Sequence, residues 1–342
     1  MKTFWAIILG LFLLVGCKSK STETLGNWTK KAPFVGAPRG GAVGFVIGNK
    51  AYLGLGYNTN YENDDPDISN EGYKKDFWMY DPSTDNWTRI ARFPGAGREN
   101  AVGFSVNGKG YVTTGYDGND RLKDTWEYDP TTDKWTQKDD YAGGARRYAV
   151  AFGIKEYGYV GTGNANDGSD KSEIYRFDPT KPAGSQWFQV SPFKGDKRHG
   201  ATAFVHNDKA YVCTGTSNSA KTTDMWEYDP ATNQWTKKIS LTDNSDWTIT
   251  RDNACSFVID NKAYVFLGSG SQTLKSCWEY DFANDTWNEK NEFEGAAREY
   301  AVAFSFSDGN GKAIVATGSA SANYFDDVWE FKPYEELNDD DN

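Results

Sequence analysis

The chain has 342 residues, enough for two or three average domains or for one large all-β domain. Its net charge of −11 argues against nucleic acid as a partner, because phosphate binding needs clustered cations. Aromatic residues make up 15% of the chain and glycines number 35, which suits pleated, half-buried strands joined by tight turns. No long amphipathic helical pattern follows the first 20 residues, so the expected class is all-β.

The N-terminus, MKTFWAIILGLFLLVGC, sets Lys2 before an apolar run from Phe4 to Val15 and ends in Gly16-Cys17. That run is too short to span a bilayer comfortably but suits the apolar region of an export signal. Leu14-Val15-Gly16-Cys17 resembles the bacterial lipobox, in which the cysteine is lipidated and becomes the new N-terminus. The resemblance implies a signal peptide over 1–16, lipidation at Cys17 and a short tether over 17–26. It places the protein in the bacterial cell envelope, on the outer membrane, with the side left open. A plain signal peptide or a membrane anchor is the alternative reading. Three cysteines remain, Cys213, Cys255 and Cys277, all in apolar strand-like contexts. An odd number completes no disulfide framework, so they read as small buried residues.

From residue 27 onward the sequence repeats. The pattern R-x-x-A-x-small-F recurs at Arg39, Arg98, Arg146, Arg198, Arg251 and Arg298. A second series, Trp78, Trp126, Tyr175, Trp226, Trp278 and Trp329, opens a phrase such as DTWEYDPTTDKW. Trp87, Trp135, Trp187, Trp235 and Trp287 close that phrase, and the sixth closing residue is Trp28, near the start of the chain. One strand of a unit therefore comes first and the rest of that unit last. A closed ring satisfies both ends, whereas an open stack would expose unpaired edges. In the fourth unit the strands read ATAFVH, KAYVCTG, DMWEYD and QWTKK, here a to d. Six units of about 50 residues and four strands predict a six-bladed β-propeller over 27–333. The phrase D-x-W-x-[YF]-D-P-x-T-x-x-W resembles the kelch motif of the galactose oxidase central domain and related bacterial proteins. One departure stands out: where kelch units carry Gly-Gly after strand b, this chain has Leu-Gly or Thr-Gly.

Blades taper toward an axis, so strand a needs small residues and strands c and d can carry Trp and Tyr. The Trp residues accordingly read as core. Asp-Pro after strand c marks a turn. The charged strand d guards an outer edge. Residues 334–342 are acidic, with the composition of a disordered tail.

The six arginines gather on one face with Asp76, Asp124, Glu173, Asp224 and Asp327, and Ser276 stands in the fifth place. An arginine two strands from a carboxylate, about 10 Å away, could reach it across the intervening glycine. The arginines read mainly as structural clamps, with a ring of cations facing an anion as the alternative. The residues after each arginine break the repeat: Gly40-Gly41, Glu99-Asn100, Arg147-Tyr148, His199-Gly200, Asp252-Asn253 and Glu299-Tyr300. Glu99, Asn100, Arg147, Tyr148, His199, Asp252, Asn253, Glu299 and Tyr300 are therefore the candidate ligand-binding set at the central opening. The insertion 57–75 carries Asp64, Asp65 and Asp67 at no calcium-site spacing, and no metal or cofactor is expected.

A copper oxidase of the galactose oxidase type is argued against. His199 and His206, the chain's two histidines, fall on one strand about 23 Å apart, and no counterpart of the family's Tyr–Cys cross-link is visible. The expected function is an envelope-anchored, non-catalytic binding module for a protein or glycan, expected to be a monomer and to meet the membrane only through its lipid. The alternative is a sugar mutarotase or epimerase resembling the periplasmic sialic acid mutarotases, using Glu99, Asp252, Glu299 and His199 near Arg147 as acid, base and anion contacts.

Overall fold

The computed structural model describes residues 24–59, 72–242, 247–306, 312–338 and 340. The signal segment, Cys17, most of the 57–75 insertion and part of the acidic tail lie outside them. Six four-stranded antiparallel sheets form the blades of a closed propeller. Numbered in chain order, their inner strands (a) are Val43–Ile47, Val102–Val106, Val150–Ile154, Thr202–His206, Cys255–Ile259 and Val302–Ser305. Each inner strand packs against the next in an unbroken cycle, blade 6 against blade 1. Outward from it run strands b, c and d, in blade 4 Lys209–Cys213, Met225–Asp229 and Gln234–Lys237. Among the described residues the one helical turn is a 3-10 segment, Trp247–Ile249.

Ring closure follows the division of the repeat. Asn27–Lys31 supplies strand d of blade 6 by pairing with Val328–Lys332, with Trp28 opposite Phe331. Trp28 is fully buried, its ring 4.5 Å from Phe331, 5.0 Å from Phe293 and 5.1 Å from Phe266. Such clusters fill the gaps between adjacent blades at the wide end of the taper. At the narrow end backbones nearly touch: a Cβ at Gly103 would lie 2.7 Å from the Gly44 carbonyl oxygen of the preceding blade.

The repeated phrase spends nearly every polar handle on architecture. In blade 2 the Trp126 indole donates to Asp124 (2.7 Å) and the Tyr128 hydroxyl to Asp133 (2.9 Å). Asp129 accepts the Thr131 amide and so fixes the Asp-Pro turn. Asp133 and the Trp135 indole then bind the amide and carbonyl of Ala91, riveting blade 2 to the chain leaving blade 1 (2.8 and 2.9 Å). Cys213, Cys255 and Cys277 are free and buried, and burial pushes each thiol up to about 12.

Leu55, Thr114, Thr162, Thr214, Leu267 and Thr317 all adopt left-handed backbone, with φ from 56° to 65°, and the following glycines also have positive φ. The kelch Gly-Gly turn is thus retained, although its first position carries a side chain. That conformation costs about 1–2 kcal/mol for an L-residue. At Leu55 and Leu267, both fully buried, hydrophobic burial worth about 1.5–3 kcal/mol offsets it.

Candidate functional site at the propeller mouth

The left-handed turn after strand b aims a carbonyl at the arginine that precedes strand a. Nη1 of Arg39, Arg98, Arg146, Arg198, Arg251 and Arg298 donates to the carbonyl of Leu55, Thr114, Thr162, Thr214, Leu267 and Thr317 respectively. All six guanidinium side chains are buried, and five lie over an aromatic ring, as Arg98 lies 5.1 Å from Phe93. Arg39, Arg98 and Arg298 grip Asp76, Asp124 and Asp327 with both Nη atoms, and Arg198 binds Asp224. Burial alone would raise the carboxyls of Asp76, Asp124 and Asp327. The charge and hydrogen bonds of the facing arginine outweigh it and hold them below the ordinary range. All six arginine side chains are thus engaged inside the blades, and one departs from the Arg–carboxylate pairing. Arg146 turns its Nη2 to the Gly143 carbonyl, and among the described residues Glu173 makes no ion pair with it. In blade 5 Ser276 takes the carboxylate's place through its hydroxyl.

The two residues after each arginine build the mouth in two tiers. The second of each pair, Gly41, Asn100, Tyr148, Gly200, Asn253 and Tyr300, has φ between 51° and 64°. Its amide donates to the carbonyl of the matching residue in the preceding blade, and Gly41 donates to Tyr300 at 3.1 Å, so six hydrogen bonds close on themselves around the axis. A parallel ring joins each glycine after strand b to the arginine carbonyl of the next blade, from Gly56 to Arg98 round to Gly318 and Arg39. The first of each pair bridges the residue that follows that glycine: Gly40 with Tyr57, Glu99 with Tyr116, Arg147 with Asn164, His199 with Thr216, Asp252 with Ser269 and Glu299 with Ser319.

These tiers bring the predicted set together. Tyr148 and Tyr300, from diametrically opposite blades, stack at 5.9 Å and 29°. The Arg147 guanidinium lies 4.7 Å from the Tyr116 ring and 4.8 Å from the Tyr148 ring, with Glu99 at 3.8 Å. His199 stands 5.9 Å from Tyr148 and binds Asp170 through Nδ1 at 2.8 Å. On the far side Asp252 holds Lys221 (2.6 Å) and the Thr216 hydroxyl, and the Asn253 amide donates to Glu299 at 3.1 Å. Asn100 is nearly buried beside Gly41. Burial raises the carboxyl of Glu99 against the pull of Arg147, and raises that of Glu299 against the Asn253 hydrogen bond. Burial likewise raises the phenols of Tyr148 and Tyr300.

His199 lies just before strand a, and His206 ends that strand, stacked 3.9 Å from Phe282. The sequence reading missed Tyr57, Tyr116, Asp170 and Lys221. The first two directly follow the repeated glycine, where the residue fails to recur just as it does after the arginine. The other two sit in b–c connections with no periodic signal.

The pattern of the KLHDC2/KLHL20/DRC7 Kelch-repeats domain matches residues 38–215 and 158–337. No curated protein matches the chain significantly. The solved structure of YjhT aligns with a TM-score of 0.69 at 17% identity, over 86% of this chain and 95% of its own, which is a likeness of fold. With nearly all of its blades covered by that pattern, the chain belongs to the Kelch-repeats domain family.

Proposed function

We propose that this propeller is a non-catalytic binding module whose ligand, a protein segment or a glycan, docks at the mouth. The carrying observation is a division of labour. The recurring arginines are consumed inside the blades, and the residues that do not recur converge on the opening as an aromatic bar flanked by paired charges. Tyr148 and Tyr300 add support: bulky side chains are uncommon at positive φ, yet two tyrosines take that backbone at the opening. Binding assays against glycan and peptide arrays test the reading. Tyr300→Ala, which removes half of the bar, is expected to weaken the ligand found by about tenfold or more. A ligand indifferent to Tyr148, Glu99 and Tyr300 substitutions would overturn it.

A second reading, sugar anomer exchange, is favoured by one observation. Glu99 and Glu299 both have raised carboxyl pKa values in one opening, as a general acid would need. Exchange of anomers followed by NMR, abolished by Glu299→Gln, would establish catalysis and displace the binding-only reading. The proposal also keeps the Cys17 anchor at the envelope, on the strength of the sequence Leu14-Val15-Gly16-Cys17. Metabolic lipid labelling that survives Cys17→Ala would remove it.

A further inference from the structure

Beside the axis, a cavity of about 500 Å³ opens on the mouth face between blades 3 and 4. One wall is the b–c connection of blade 3 through Asn164 and Asp170, and the other is the hairpin of blade 4 through Ser217, Asn218 and Ser219. Asp196, Lys197 and His199 lie between them. Hydroxyl, amide, carboxylate, imidazole and ammonium groups thus face one another there, and the lining is more polar than apolar.

A chain of side chains fixes the imidazole. Arg121 Nη2 donates to Asn164 Oδ1 (2.5 Å), and Asn164 Nδ2 donates to Asp170 Oδ1 (2.9 Å). The same oxygen meets His199 Nδ1 at 2.8 Å. A carboxylate can only accept, so Nδ1 carries a proton, and in the neutral imidazole the lone pair is then on Nε2. Among the described residues no hydrogen bond to Nε2 is made. The facing hairpin pairs Thr216 with Lys221 and turns at Asn218 and Ser219, with φ of 48° and 67°.

The volume suits a small organic ligand. An apolar guest would strip water from the polar lining without replacing its hydrogen bonds. Among the described residues no three histidine, cysteine or carboxylate side chains gather as a metal site. One ammonium, Lys197, set against Asp170 and Asp196 disfavours an anion. We propose that this cavity is a subsite for one or two uncharged sugar rings, with a ring hydroxyl donating to His199 Nε2 and neighbouring hydroxyls meeting Asn164, Asp196 and Lys197. The proposal deepens the binding reading of the mouth, which His199 also faces, but involves a different wall.

The chain has two histidines, so imidazole ¹H–¹⁵N correlation spectra of the full protein resolve each one. The free protein is expected to show His199 protonated at Nδ1. Addition of glucose, galactose or N-acetylglucosamine is expected to move the His199 Nε2 resonance and to leave His206 in place. Asp170→Asn, which keeps the cavity's shape but removes the carboxylate, is expected to weaken the best sugar by about tenfold. Ser217→Trp, which fills the cavity, is expected to abolish the shift. A His199 protonated only at Nε2, or a sugar shift untouched by Asp170→Asn and Ser217→Trp, would overturn the subsite. So would silence toward every sugar; a Tyr300-sensitive ligand found alongside that silence would leave the mouth reading standing.

Discussion

Arg98 and Arg251 fill the same place in two blades with different consequences. Arg98, itself buried, neutralises a half-buried carboxylate, Asp124, whereas Arg251 faces the Ser276 hydroxyl and backbone carbonyls. Removing one partner of a buried ion pair leaves an uncompensated charge and costs about 3–5 kcal/mol. Leaving neutral acceptors unsatisfied costs about 1–3 kcal/mol. Arg98→Met is therefore expected to lower the urea midpoint distinctly more than Arg251→Met; equal losses would show that the carboxylate contributes nothing to the difference. The clamp was legible because an arginine and an aspartate recurred two strands apart with only glycine between them. Glu173 was not. Its position is that of the other carboxylates, and nothing in the sequence shows that Arg146 turns to the Gly143 carbonyl instead. The nine predicted mouth residues were found by their failure to recur, which is a signal of place; their pairing, such as Arg147 between Tyr116 and Tyr148, depends on side-chain packing that no spacing encodes.

The left-handed turns after strand b and before strand a put two kinds of carboxyl at the mouth end of the ring, both kinds in blades 2 and 6. Asp76, Asp124 and Asp327 have folded values held below the ordinary 3.8. Their contribution is present above the unfolded value and is lost as pH falls through the folded one. Glu99 and Glu299 have folded values raised above the ordinary 4.5. Their contribution is complete below that value and is lost as pH rises through the folded one. The two signs together place the maximum of these five groups' combined contribution within the ordinary carboxylate range, between 3.8 and 4.5. Denaturant midpoints measured across pH should rise on mild acidification and then fall. In the Glu99→Gln, Glu299→Gln double variant the first rise should vanish while the acid fall remains. At this scale the sequence was informative about turns it could compare across six copies, including the Leu-Gly and Thr-Gly variants. It was silent on single-copy connections such as the hairpin carrying Lys221.

Closure of the whole ring rests on one strand taken from the far end of the chain. Trp28 packs among Phe266, Phe293 and Phe331, and its strand covers the outer edge of Val328–Lys332. Trp28→Ala is expected to cost about 3–5 kcal/mol. Deleting residues 24–31 should leave an open edge that aggregates on warming, and a peptide spanning 24–33 supplied in trans should restore the melting temperature. A deletion variant that melts like the intact chain would contradict closure by this strand. The ring was legible as a matter of counting, since five closing tryptophans inside the repeats demanded a sixth outside them. Less visible beforehand was a second order within the six. Around the axis the inner tier reads Gly41, Asn100, Tyr148 and then Gly200, Asn253, Tyr300, the same three residue types twice over, so opposite blades match. The outer tier breaks that match, with Arg147 facing Glu299 and Gly40 facing His199.

The closed circle of amide-to-carbonyl bonds at the mouth is made entirely by main chain, at the positions whose side chains a docking molecule would meet. Scaffold and specificity are thereby separated within single residues. A substitution there can alter what the protein recognises without disturbing what joins its blades, provided the newcomer tolerates positive φ. Gly, Asn and Tyr already occupy this circle, so its six positions form a natural site for variation and a practical one for randomised libraries on an unchanged frame.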